Sequence, residues 1–163
     1  MHEAGAPTDQ TTPNTQFVSY QYADGTELQC ELRNWFSGPP EAQGIYVSGE
    51  KGWMKVGDDR AQVFFGRKSE PGPVLTAEER GDPGQAHFEN FVECVRSRNS
   101  ENLRAPLTDG HFSSTLCHLG NISYRVGRSV KFDGTTERFV GDEEADRLLG
   151  RVYRAPYVLP DKT

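Results

Sequence analysis

The stretch VSYQYADGTELQCELR, residues 18–33, decides the fold class. Val18, Tyr20 and Tyr22 alternate with Ser19 and Gln21. After a short polar break, Leu28, Cys30 and Leu32 alternate with Glu27, Gln29, Glu31 and Arg33. A period of two on both sides of a turn predicts two antiparallel strands, each with one apolar face. The length of the turn follows from those faces. A two-residue Asp24-Gly25 loop sets Leu28 against Gln21 and mixes them. A three-residue loop, Ala23-Asp24-Gly25, pairs Tyr20 with Leu28 and Val18 with Cys30, and puts glycine at the left-handed position such loops require.

Further short β segments follow: Ile45–Ser48, Trp53–Val56 and Ala61–Gly66, separated by glycine-bearing turns. They read as an antiparallel meander, and residues 69–84 as a Pro/Gly-rich connector. Asp82, Pro83 and Gln85 then give a helix start, with Phe88, Phe91, Val92 and Val95 on one face and an end near Arg98-Asn99. A longer helix runs from about Asp109 to Val126 and stops at Gly127. Its apolar stripe is Phe112, Leu116, Leu119, Ile122 and Val126. Two short strands, 130–133 and 137–140, precede a short helix opened by Asp142-Glu143-Glu144 and closed by Arg147 and Gly150. The expected fold class is α+β, a mainly antiparallel open sheet with helices packed on one face. That sheet is drawn from 17–35 and 44–66. Residues 1–15 read as an irregular lead-in, 16–150 as a single α+β domain, and 151–163 as an irregular tail.

Composition narrows the function. The chain has 163 residues and a net charge of −6, with 18 Lys+Arg against 24 Asp+Glu. Nucleic acid is thereby disfavoured as a partner, since phosphate binding needs clustered basic residues. No apolar run approaches the ~18 residues of a membrane span, and Met1-His2-Glu3-Ala4-Gly5 opens no signal peptide. The expected location is the cytoplasm, although any export signal of a longer parent would lie upstream. Three cysteines without CxxC spacing, Cys30, Cys94 and Cys117, argue against a disulfide scaffold or a zinc ribbon. Cys30 and Cys94 read as small hydrophobes. GxGxxG, GxxxxGK, HExxH and GxSxG are all missing, so no phosphate-cradling loop is expected in this chain.

The candidate site is a polar stripe on the long helix. His111, Ser114, His118 and Asn121 recur at steps of 3, 4 and 3, which places them along one side. Two imidazoles there can titrate near neutrality. The plainer reading is a polar face hydrogen-bonded within its own domain, and His118, mid-helix beside Leu119, is expected to be structural in that sense. Cys117 beside His118 does not make a metal site, because neighbouring residues on a helix point apart. No catalytic, cofactor-binding or metal residue is assigned.

Four strings succeed one another at short intervals: HFENFVECVRSR (87–98), GHFSSTLCHLGNISYRVGR (110–128), FVGDEEADRLL (139–149) and YRAPYVLP (153–160). Together they resemble the C-terminal region of bacterial members of the glucose–fructose oxidoreductase / inositol dehydrogenase / rhizopine-catabolism (Gfo/Idh/MocA) family. TPNTQFVSYQYADG (12–25) and GRKSEPGP (66–73) fit the same region. The resemblance implies an NAD(P)-dependent sugar or cyclitol oxidoreductase. In such an enzyme a Rossmann domain holds the cofactor, and an α+β domain supplies one wall of the substrate site and usually the oligomer interface. The family's glycine motif, Lys-Pro motif and catalytic helix have no counterpart here, so no cofactor is expected in this chain and NAD(P) is implied for a full-length parent. The expected partners are that parent's Rossmann domain and further copies of the chain, meeting through the open sheet face. The alternative is a stand-alone binding module derived from the same fold. Reading the coding sequence upstream of Met1 separates the two.

Overall fold

The computed structural model describes residues 11–33, 44–57, 60–76 and 83–158. The chain divides into two compact units, 1–35 with 105–163, and 36–104.

The first unit opens with strands β1 (Thr15–Gln21) and β2 (Glu27–Arg33). They pair antiparallel with Tyr20 opposite Leu28 and Val18 opposite Cys30, the register expected for a three-residue loop. Gly25 closes that loop at φ 88°, and its amide donates to the Tyr22 carbonyl at 3.0 Å. Asp24 Oδ1 accepts from the Thr26 amide at 2.9 Å. Helix α2 (Leu107–Val126) lies on β1. It begins two residues before the expected start and ends at Gly127, whose φ of 69° supplies the left-handed cap.

Beyond α2, strands β7 (Phe132–Asp133) and β8 (Arg138–Phe139) form a small ladder leading to helix α3 (Glu143–Arg147). Ile122, Phe139 and Ala145 make the buried centre here, with Leu119, Val126, Val130 and Phe132 packed around it. The Phe132 and Phe139 rings meet edge to face at 5.3 Å. Asp142 caps α3 by accepting from the Ala145 amide at 3.0 Å. Leu148, rather than Gly150, ends the helix. Residues 151–158 form neither helix nor strand.

The second unit holds an antiparallel meander of β3 (Ile45–Gly49), β4 (Gly52–Val56), β5 (Arg60–Phe65) and β6 (Glu70–Thr76). β6 replaces the first part of the expected connector. Pro71 and Pro73 mask it in the sequence, yet proline is tolerated on an edge strand because half of the N–H groups there have no ladder partner to serve. A register shift between Gln62 and Phe64 marks a bulge opposite the two prolines. Gly72 lets the Phe65 ring lie against the bulged strand: a Cβ at this position would sit 2.6 Å from Phe65 Cε2.

Helix α1 (Pro83–Ser97) follows. Pro83 starts it as expected, whereas Asp82, the expected cap, lies outside the described residues. Asn90 ties α1 to the 3₁₀ turn Ser100–Asn102: its Nδ2 donates to the Asn102 carbonyl at 3.0 Å, and its Oδ1 accepts from the Arg104 amide at 2.9 Å.

The α+β class and the antiparallel pairing hold. Two details differ. The strands of 17–35 and 44–66 belong to separate sheets. The apolar stripe of α1, with Phe88 at 70% and Phe91 at 53% exposure, faces water instead of a sheet.

Candidate functional site

Helix α2 brings the polar stripe together as its spacing requires. His111, Ser114 and His118 are exposed and Asn121 is half-buried. His111 Nε2 lies 2.5 Å from Glu137 Oε1, both side chains half exposed. Glu137 sits in the β7–β8 turn with φ 52°, a conformation that costs a non-glycine residue free energy. Among the described residues, Ser114, His118 and Asn121 have no side-chain hydrogen bond within the domain. This corrects the expectation for His118. The side of α2 turned to β1 carries Leu116 and Gly120 and the side turned to the core carries Leu119, Ile122 and Val126, while His118 stays exposed.

The elements packed on α2 are fixed firmly. The Tyr20 hydroxyl donates to the Leu116 carbonyl at 2.6 Å. A Cβ added at Gly120 would stand 3.0 Å from both Tyr20 Oη and Val18 Cγ2. Burial first, then the neighbouring Cys30 and Cys117, then Tyr22, hold the Tyr20 phenol above its usual range. At the other end of α2, Arg128 bridges Asp142 at 2.7 Å and Glu144 at 2.9 Å. The Ala145 amide and then Arg128 hold the Asp142 carboxyl below the ordinary carboxylate range. Cys94 is buried as expected; Cys30 is exposed, because the inner face of β2 is less covered than that of β1.

The meander has two unlike faces. Cross-strand partners share a face, so Tyr46, Trp53, Lys55, Gln62 and Phe64 lie together on one side. Trp53 and Phe64 stack at 4.1 Å, and Trp53 Nε1 donates to Ser69 Oγ at 3.0 Å. The opposite side is aliphatic: Ile45 and Val56, Val47 with Met54 and Val63, and Leu75, with Phe65 at the end near the 49–52 turn. Ile45 is 65% and Leu75 56% exposed. An open hollow of about 520 Å³, lined among others by Val47, Met54, Val63 and Phe65, lies toward that turn. The sequence signalled each strand of this face except β6, and only the register shows that these residues share a side.

Among the described residues, no group of three His, Cys, Asp or Glu is placed to hold a metal. No helix there is long and apolar enough to cross a membrane. Every described strand pair is antiparallel. The strand–glycine turn–helix unit that cradles a dinucleotide pyrophosphate belongs to parallel βαβ units, and no parallel strand pair occurs among the described residues.

The family model for the C-terminal alpha/beta domain of the Gfo/Idh/MocA oxidoreductases matches residues 3–159. The chain belongs to that family. No curated protein and no solved structure matches it. Within this Gfo/Idh/MocA domain the match takes in both compact units, the meander as well as the hairpin and α2.

Proposed function

We propose that this chain is the substrate-side and subunit-contact domain of an NAD(P)-dependent oxidoreductase acting on a sugar or a cyclitol, and that it does not catalyse hydride transfer by itself. Membership of the Gfo/Idh/MocA family supports the oxidoreductase frame. The observation that carries the subunit-contact role is the aliphatic face of the β3–β6 meander. Ile45 and Val47 on β3 and Leu75 on β6 are exposed there, with Val56 and Ala61 between Ile45 and Leu75, and contiguous apolar surface of this kind favours association. Holding the nucleotide falls to a dinucleotide-binding domain, since hydride transfer needs the nicotinamide fixed against the substrate.

Two measurements on the chain test this. Light scattering at tens of micromolar gives dimers or larger species, the range in which weak apolar interfaces associate (roughly −6 to −7 kcal/mol), and Val47→Lys returns them to monomer. Fluorescence titration with NADH shows no saturation. A monomer persisting at millimolar concentration defeats the subunit-contact role, and low-micromolar NADH binding defeats the division of labour.

A further inference from the structure

Helix α1 holds its own chain by one side and shows water the other. Asn90 and Cys94 share the first side: Cys94 is buried, and Asn90 binds the Asn102 carbonyl and the Arg104 amide. Phe88, Phe91, Val92 and Val95 recur at steps of 3, 1 and 3 on the opposite side. All four are exposed. An open hollow of about 570 Å³ runs along the stripe, lined by Phe88 and Val92, with the charged Glu89, Glu93 and Arg96 beside them. A helix buries such a stripe against another layer. Among the described residues, α1 makes no extended contact with the meander of its own chain.

The same compact unit, 36–104, therefore carries two uncovered apolar surfaces, the α1 stripe and the aliphatic face of the meander. We propose that they cover each other between two copies of the chain: α1 of one copy lies on the meander of the second, whose α1 lies on the meander of the first. This rests on the subunit-contact reading of the meander and names what occupies it.

The dimensions agree. From Phe88 to Val95 the stripe runs about 10 Å along the helix axis. The row Ile45, Val56, Ala61 and Leu75 crosses four strands, about 14 Å. The areas agree as well. Phe88, Phe91, Val92 and Val95 are 41% to 70% exposed, and Ile45, Val47, Phe65 and Leu75 47% to 65%. For side chains of this size each set offers on the order of 400 Å². One helix-on-sheet contact then buries roughly 800 Å² over both partners, too little for a stable pair, whereas two related by a two-fold axis bury roughly 1,600 Å², the standard size of a specific interface. Sheet-on-sheet packing covers the meander alone and leaves the α1 stripe in water.

The test uses the full chain with the exposed Cys30 and Cys117 replaced by serine. Val92→Cys and Val47→Cys are introduced in separate chains of different mass, mixed at tens of micromolar and oxidised with copper phenanthroline; Val95→Cys with Ile45→Cys samples a second alignment. A reducible heterodimer is expected from at least one mixture and not from either partner alone. In light scattering, Phe91→Glu is expected to weaken dimerisation roughly tenfold or more, as Val47→Lys does. Phe91→Glu dimers as tight as the parent's, or Val47→Cys chains linking to each other, overturn the exchange and leave the meander as a subunit contact. A bridge closing within one chain that carries both Val92→Cys and Val47→Cys, with no link between copies, also overturns it. A monomer persisting at millimolar concentration removes the exchange and the subunit contact together.

Discussion

The Tyr20 hydroxyl and the Leu116 carbonyl, 96 residues apart in sequence, are joined by a 2.6 Å hydrogen bond. Removing it with Tyr20→Phe keeps the ring and deletes the donor. The expected loss is about 0.5–1.5 kcal/mol, the net worth of such a bond, read as a lower urea midpoint at unchanged slope.

Gly120 tests the same seam by steric means. Alanine is the better helix former by about 1 kcal/mol, yet its Cβ would press on Val18 and on a tyrosine held by its hydrogen bond. Overpacking of this sort costs about 1–3 kcal/mol, so Gly120→Ala is expected to destabilise. Val18→Ala in the same chain makes room and recovers part of the loss, a non-additivity that a double-mutant cycle measures.

The Arg128–Asp142 pair sets a pH dependence. The Asp142 carboxyl titrates lower in the folded chain than in the unfolded one, through the Ala145 amide first and Arg128 next. Its contribution is present above the ordinary carboxylate range, about pH 4, and is lost as pH falls through the lowered value. Asp142→Asn can still cap α3 but carries no charge. Acid denaturation curves of the two proteins are expected to diverge near neutrality and converge at low pH, and a constant offset would contradict this.

His118→Ala is expected to leave stability within about 0.5 kcal/mol, as for an exposed side chain away from special features. A larger fall in the denaturation midpoint would return His118 to the structural role its position beside Leu119 had suggested.

The hairpin was legible because two constraints agreed on one register: the alternation around Val18–Tyr22 and the place of Gly25. The end of α2 at Gly127 and the Asp142 cap were legible for the same reason, since each rests on local backbone chemistry. β6 was not, because Pro71 and Pro73 signal a break unless the strand is known to be an edge. The stripe on α1 was visible, but periodicity gives a side chain's angle around the helix axis and says nothing of what covers that side. The same limit applied to His118. The stripe His111–Asn121 was real as a geometric object, and which of its members found partners depended on where the β7–β8 turn put Glu137.

The two prolines of β6 bear on how copies of the sheet can meet. An edge strand recruits a neighbour through its outward N–H groups, and positions 71 and 73 have none to give. β3, at the other end of the order β3-β4-β5-β6, is free of proline. Among the described strands, strand addition therefore meets a proline-blunted edge at β6 and a proline-free edge at β3. The same bulged strand that hid from the sequence pattern disfavours strand addition at its own edge.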